Sequence, residues 1–89
     1  MLTTQWQVSD DAVANPVGDE TVILHLGNGN YFGLNPIGTS LWEGLKSGLL
    51  PKDVCDQILQ EYDAERDVVE KDLEHFLTKL VEHDLIQKH

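Results

Sequence analysis

The side chains able to do chemistry are few and scattered. Four histidines stand at positions 25, 75, 83 and 89, and one cysteine at position 55. His75 and His83 are eight residues apart, too far for ligands one helical turn apart, and neither His25 nor His89 completes a metal-binding spacing. All four read as solvated surface histidines. Cys55 sits among apolar residues in a helical pattern and reads as a small buried hydrophobe rather than a nucleophile. Gly27-Asn28-Gly29 looks at first like a phosphate loop. No third glycine, Lys-Ser or Lys-Thr follows at the needed spacing, and the next element is a strand. Glu61, Asp63, Glu65, Asp67, Glu70, Asp72 and Glu74 resemble a solvated helix face and its N-terminal charges. The expectation is no catalytic group, no metal and no cofactor.

What remains is the stretch of residues 21–35, TVILHLGNGNYFGLN. Residues 21–26 carry strong β-formers, with Val22, Leu24 and Leu26 on one face and Ile23 and His25 on the other. Asn28-Gly29 is a two-residue hairpin signal, because both turn positions favour positive φ. Residues 30–34 (Asn30, Tyr31, Phe32, Gly33 and Leu34) return antiparallel, with Phe32 and Leu34 sharing one face. This return strand has no charge and no proline. Those are the usual devices that block a sheet edge, so the edge is open to an added strand.

The elements around it follow from local signals. Residues 12–17 form a first strand that Pro16 confines to an edge, and Gly18-Asp19 turns the chain. Residues 1–11 read as a flexible or loosely packed arm in which Trp6 and Val8 can pack or form a short strand. Asn35-Pro36 is a cap followed by a first-turn proline and opens a helix over 36–46, which Ser47-Gly48 ends. Pro51 opens a second helix over about 51–62, with the poor cap Leu50 before it. A third helix over about 66–82 carries the stripe Val69, Leu73, Phe76, Leu77 and Leu80, and Leu85 and Ile86 fold back onto the core. Strands followed by helices give an α+β domain over 12–89, with a three-stranded antiparallel sheet and three helices.

Bulk properties narrow the function. Eighty-nine residues allow one modest core. Six basic against sixteen acidic residues, a net charge of −10, oppose a nucleic-acid or anionic-membrane surface. No apolar run is long enough for a membrane span. A lone cysteine and a polar start without an apolar signal core suit the cytoplasm.

Leu24, Gly29, Tyr31, Leu34, Asn35, Gly38 and Trp42, then Ile58 and Tyr62, then Asp72, Leu73, Phe76, Leu77 and Leu80, and finally Leu85 and Ile86, stand in an order and spacing that resembles the PqqD family. These small domains are also called RiPP recognition elements. The resemblance runs from Ala12 to Ile86. It implies a winged-helix-like fold and a non-catalytic role: binding the leader segment of a ribosomally synthesised precursor peptide and presenting it to a modifying enzyme, such as a leader peptidase, a cyclase or a radical SAM enzyme. The leader would add as a strand beside residues 30–34 and lie against the third helix. Lasso-peptide maturation is the favoured setting, with pyrroloquinoline quinone biosynthesis or another peptide modification as the other settings. Two flanks of the third helix compete for the groove wall. One carries Val68, Asp72, His75 and Lys79; the other carries Glu70, Glu74, Leu77 and Val81. The first is preferred, and Phe76 of the core stripe is counted with it among the contact candidates. Two positions depart from the family pattern: Asp84 replaces a glycine before Leu85, and Leu50 replaces a capping serine or threonine. The open edge also leaves room for a homodimer through two such strands. The competing reading is a winged-helix DNA-binding regulator, which the acidity disfavours, and an enzyme is the third.

Overall fold

A computed structural model describes all residues from Met1 to His89. The elements run β1 (Trp6–Val8), β2 (Ala12–Val17), β3 (Glu20–His25), β4 (Tyr31–Leu34), α1 (Pro36–Lys46), α2 (Pro51–Glu61), α3 (Arg66–Glu82) and β5 (Ile86–Lys88). β2, β3 and β4 form an antiparallel sheet in that order, and the three helices follow it, an α+β, winged-helix-like arrangement. No helix is long and apolar enough to cross a membrane.

One face of the sheet is covered and the other is bare. Thr21, Ile23 and Leu34 turn inward and are buried, and α1 lies over them. Leu41, Trp42 and Leu45 of α1, Val54, Cys55 and Ile58 of α2, and Val69, Leu73, Leu77 and Leu80 of α3 complete one core. A hydroxyl contact pins α1 to the sheet, with Thr39 Oγ1 donating to Thr21 Oγ1 at 3.0 Å.

The helix ends follow their chemistry. Asn35 Oδ1 accepts the Gly38 N–H at 2.9 Å and Pro36 occupies the first turn, so α1 starts where the sheet ends. Gly48 takes φ 86 just beyond the α1 C-cap Ser47. Leu50 offers no side-chain cap to α2; instead the Asp53 carboxylate accepts the Leu50 N–H at 3.2 Å. At the end of α3, Asp84 adopts φ 57, the left-handed conformation that glycine would take without strain.

Two expectations are corrected, on the hairpin and on His25, while within residues 1–11 Trp6 and Val8 take the short-strand alternative. Trp6–Val8 pairs antiparallel with β5 (Trp6 with Lys88, Val8 with Ile86), and Trp6 is buried in the core. Apolar burial of Trp6 and Ile86 holds this ribbon in place, since two strands of three residues are marginal alone. The hairpin between β3 and β4 is not a two-residue Asn-Gly turn. His25 N donates to Asn30 O at 2.9 Å and Gly29 N to His25 O at 2.7 Å, leaving residues 26–29 as a four-residue loop. Only Gly29 in that loop has positive φ, whereas the tight turn needs two such residues. Finally, His25 is buried rather than solvated, and its ring organises the loop. Nδ1 accepts the N–H groups of Gly27 at 3.0 Å and Asn28 at 3.3 Å.

Candidate functional site

β4 has a sheet partner on one side only. Its register against β3 sets which groups face the open side. His25 and Asn30 form a hydrogen-bonded pair, and the pairs Leu24–Tyr31, Ile23–Phe32, Val22–Gly33 and Thr21–Leu34 follow. Hydrogen-bonded and non-bonded pairs alternate in an antiparallel ladder. Phe32 and Leu34 therefore bond to β3, while Tyr31 and Gly33 direct their N–H and C=O groups outward. This four-residue edge has neither a charged residue nor a proline.

The side chains of β4 point to two surfaces. Leu34 is buried and Phe32 half-buried on the helix side, while Tyr31 is 71% exposed on the bare side. On the helix side Phe32 meets His83, with ring centroids 5.1 Å apart. Phe76 closes the floor beside Leu34. A methyl group built on Gly38 would stand 2.9 Å from Leu34 Cδ2 and 3.0 Å from the Phe76 ring, so both crowd the same glycine. Gly38 thus lets α1, β4 and α3 approach closely.

These two contacts orient α3. Phe76 lies near Leu34 and His83 near Phe32, so this half of α3 runs antiparallel to β4. Residues 72, 76, 79 and 83 share one side of a helix, and that side is turned toward the β4 edge. Lys79, half-buried, lies within this stretch and pairs with Glu82 at 3.7 Å. His75 packs edge-on against Phe76 at 6.0 Å and is exposed. Asp72 and Val68 are exposed too. Val68 lies eight residues before Phe76, about 12 Å along the helix axis, so it adjoins a continuation of the groove past Leu34 rather than β4 itself. The structure thus brings Phe32, Leu34, Phe76, Lys79 and His83 to one side of β4. It leaves Val68 and Asp72 beyond its end. The sequence alone marks His83 as a solvated side chain; the signal for its place here is the helical spacing from Asp72 through Phe76 and Lys79.

The remaining chemistry does not gather into a second site. No group of three or more His, Cys, Asp or Glu side chains is placed to hold a metal ion. Cys55 is fully buried. Burial pushes its thiol upward, and the nearby Arg66 guanidinium only partly offsets this. Arg66 itself bridges α2 and α3, at 2.7 Å from Asp56 and 3.7 Å from Glu70. The three surface clefts lie against the β1–β5 ribbon or between α1 and α2; none is lined by a residue of β4 or α3. The candidate site is an open edge, suited to an extended chain rather than a small molecule.

Known proteins share this fold. No curated protein sequence matches the chain. Among solved structures, the chain is similar to TbiB1 in complex with the TbiA(beta) leader peptide, at 38% identity and a TM-score of 0.84, over 93% of this chain and 96% of that one. Lasso peptide synthetase B1 complexed with the leader peptide has the same fold, at 24% identity and a TM-score of 0.82, over 93% and 98% of the two chains. The family model described as Coenzyme PQQ synthesis protein D (PqqD) matches residues 20–86, from the first residue of β3 through the helices to Ile86. With its open strand, its helix order and the Gly38 junction inside that match, the chain belongs to the PqqD family.

Proposed function

We propose that this chain binds the leader segment of a ribosomally synthesised precursor peptide by strand addition to β4 and delivers it to a modifying enzyme, without catalysing a reaction itself. The observation that carries the reading is the unblocked edge at Tyr31 and Gly33, flanked by Phe32, Phe76 and His83. Outward N–H and C=O groups supply affinity for any extended chain, and the aromatic flank selects among side chains at alternate positions. The 38% identity to TbiB1, solved with a leader peptide, favours a lasso-type system. A leader peptidase or cyclase is then the expected partner, rather than a radical SAM enzyme. The peptide-contacting set we propose is Asn30, Tyr31, Phe32, Gly33, Leu34, Phe76, Lys79 and His83, with Asp72, His75 and Val68 reached only by a longer segment. Peptide binding competes with homodimerisation through the same edge. The reading sets the chain in the cytoplasm, where a newly translated precursor is available.

Titration of the isotope-labelled protein with the leader peptide encoded beside its gene tests this. Amide shifts concentrated at residues 30–34 and along α3 are expected, with micromolar or tighter affinity. Unmoved amides there, for every precursor encoded nearby, would reject the reading. Charge disfavours DNA binding: a face able to replace counterions is missing from a chain of net charge −10.

A further inference from the structure

We infer that the bare face of the β2–β3–β4 sheet is the docking surface for the modifying enzyme, and that this enzyme presents an apolar patch rimmed by Lys and Arg. The inference rests on the delivery role proposed above. The face is built in cross-strand rows. Val13, Leu24 and Tyr31 form one row; Asn15, Val22 and Gly33 form the next. These six residues carry no formal charge at neutral pH, and Val17 continues the apolar surface along β2. Val13, Val17 and Tyr31 are 39%, 61% and 71% exposed, and no element of the chain covers them. Contiguous apolar surface of this kind on a small soluble domain marks an interaction site.

The surrounding charge identifies the occupant. Asp10 and Asp11 stand at one end of the face, and Asp19 and Glu20 at the other. No Lys or Arg occurs before Lys46, so the whole sheet lacks a cation of its own. A second copy docked by a two-fold axis would set acidic rim against acidic rim. A partner with a basic rim gains attraction at both ends. Position adds a second argument. Tyr31 belongs to both surfaces: its backbone faces the open edge and its side chain the bare face. A strand added at that edge extends the bare face by its own outward side chains, so an enzyme seated there touches carrier and peptide together.

The test uses V13R/V17R and V13D/V17D double variants. Both positions lie on β2, two strands from β4 and so about 10 Å from it, and both side chains are solvent-facing. The probes are the leader peptide and the leader-cleaving protease encoded beside this chain's gene. Peptide affinity should stay within about twofold of wild type. Affinity for the protease, with peptide present, should fall about 30-fold or more in V13R/V17R, as at the centre of an interface, and less in V13D/V17D. Unchanged protease binding by V13R/V17R would overturn the inference, as would a wild-type chain that never binds the protease. A dimer of the free chain dissolved by V13D/V17D would also overturn it, by assigning the face to a second copy. If wild type binds no leader peptide, the delivery reading fails separately. The peptide-free protease arm then still decides the face, with loss in V13R/V17R supporting it and retention overturning it.

Discussion

Replacing Gly33 with proline separates main-chain recognition from every other way of holding a peptide. The Gly33 N–H points away from β3, so the substitution removes no bond of the β3–β4 ladder. Edge positions tolerate proline, and Phe32 before it is already extended. The fold should therefore survive. For the bound peptide, G33P deletes one donor and leaves a peptide carbonyl unpaired, about 1–3 kcal/mol. The pyrrolidine ring also projects into the space where an added strand would lie 4.7–4.9 Å away. This weakens at least one neighbouring hydrogen bond, about 0.5–1.5 kcal/mol. Together these come to about 1.5–4.5 kcal/mol, or roughly 10- to 2000-fold in Kd. G33A is the matched control. It keeps the N–H, and its methyl would find no heavy atom within 4 Å, so binding should stay within about twofold of wild type. Fluorescence anisotropy of a labelled leader peptide measures both, with circular dichroism as the check on folding. A folded G33P that binds with wild-type Kd would refute strand addition at β4. Equal losses in G33A and G33P would point to surface shape rather than the main chain.

Other consequences concern the scaffold. Asp84 holds φ 57, so D84G should relieve about 1 kcal/mol of backbone strain, seen as a rise in Tm of about 4–8 °C; a fall would show that the Asp84 side chain contributes more than its strain costs. In G38A the new methyl meets Leu34 and Phe76, and the crowding should destabilise the fold by about 1–3 kcal/mol and weaken peptide binding by parting β4 from α3; chemical denaturation and anisotropy read the two effects. Native Cys55 should react with iodoacetamide at least ~100-fold more slowly than in the denatured chain, because alkylation must wait for opening. Its thiol is raised in the fold, so the unfolded chain loses this proton first as pH rises. The stability it contributes is full below the ordinary thiol value and is lost as pH climbs through the raised folded one, and C55A should flatten that alkaline decline in denaturation measured across pH.

The order of the elements is legible in the residues alone, because the signals are local. Asn35-Pro36 caps and opens α1 wherever it stands, Ser47-Gly48 closes it, and the uncharged run through Tyr31, Phe32, Gly33 and Leu34 marks an unguarded edge before any partner strand is known. The residues that mark the PqqD family were legible for the same reason. Tertiary structure decided the rest. Pairing of Trp6 with Lys88 joins opposite ends of the chain, and three-residue strands carry too little periodicity to announce it. His25 looked solvated because its role lies in accepting two backbone N–H groups of a loop, a bond that depends on how that loop closes. On α3, two polar flanks border one apolar stripe, and helical periodicity treats them alike. Only the packing of His83 on Phe32 and of Phe76 beside Leu34 sets which side of α3 lies along β4, since that placement rests on contacts between segments more than forty residues apart.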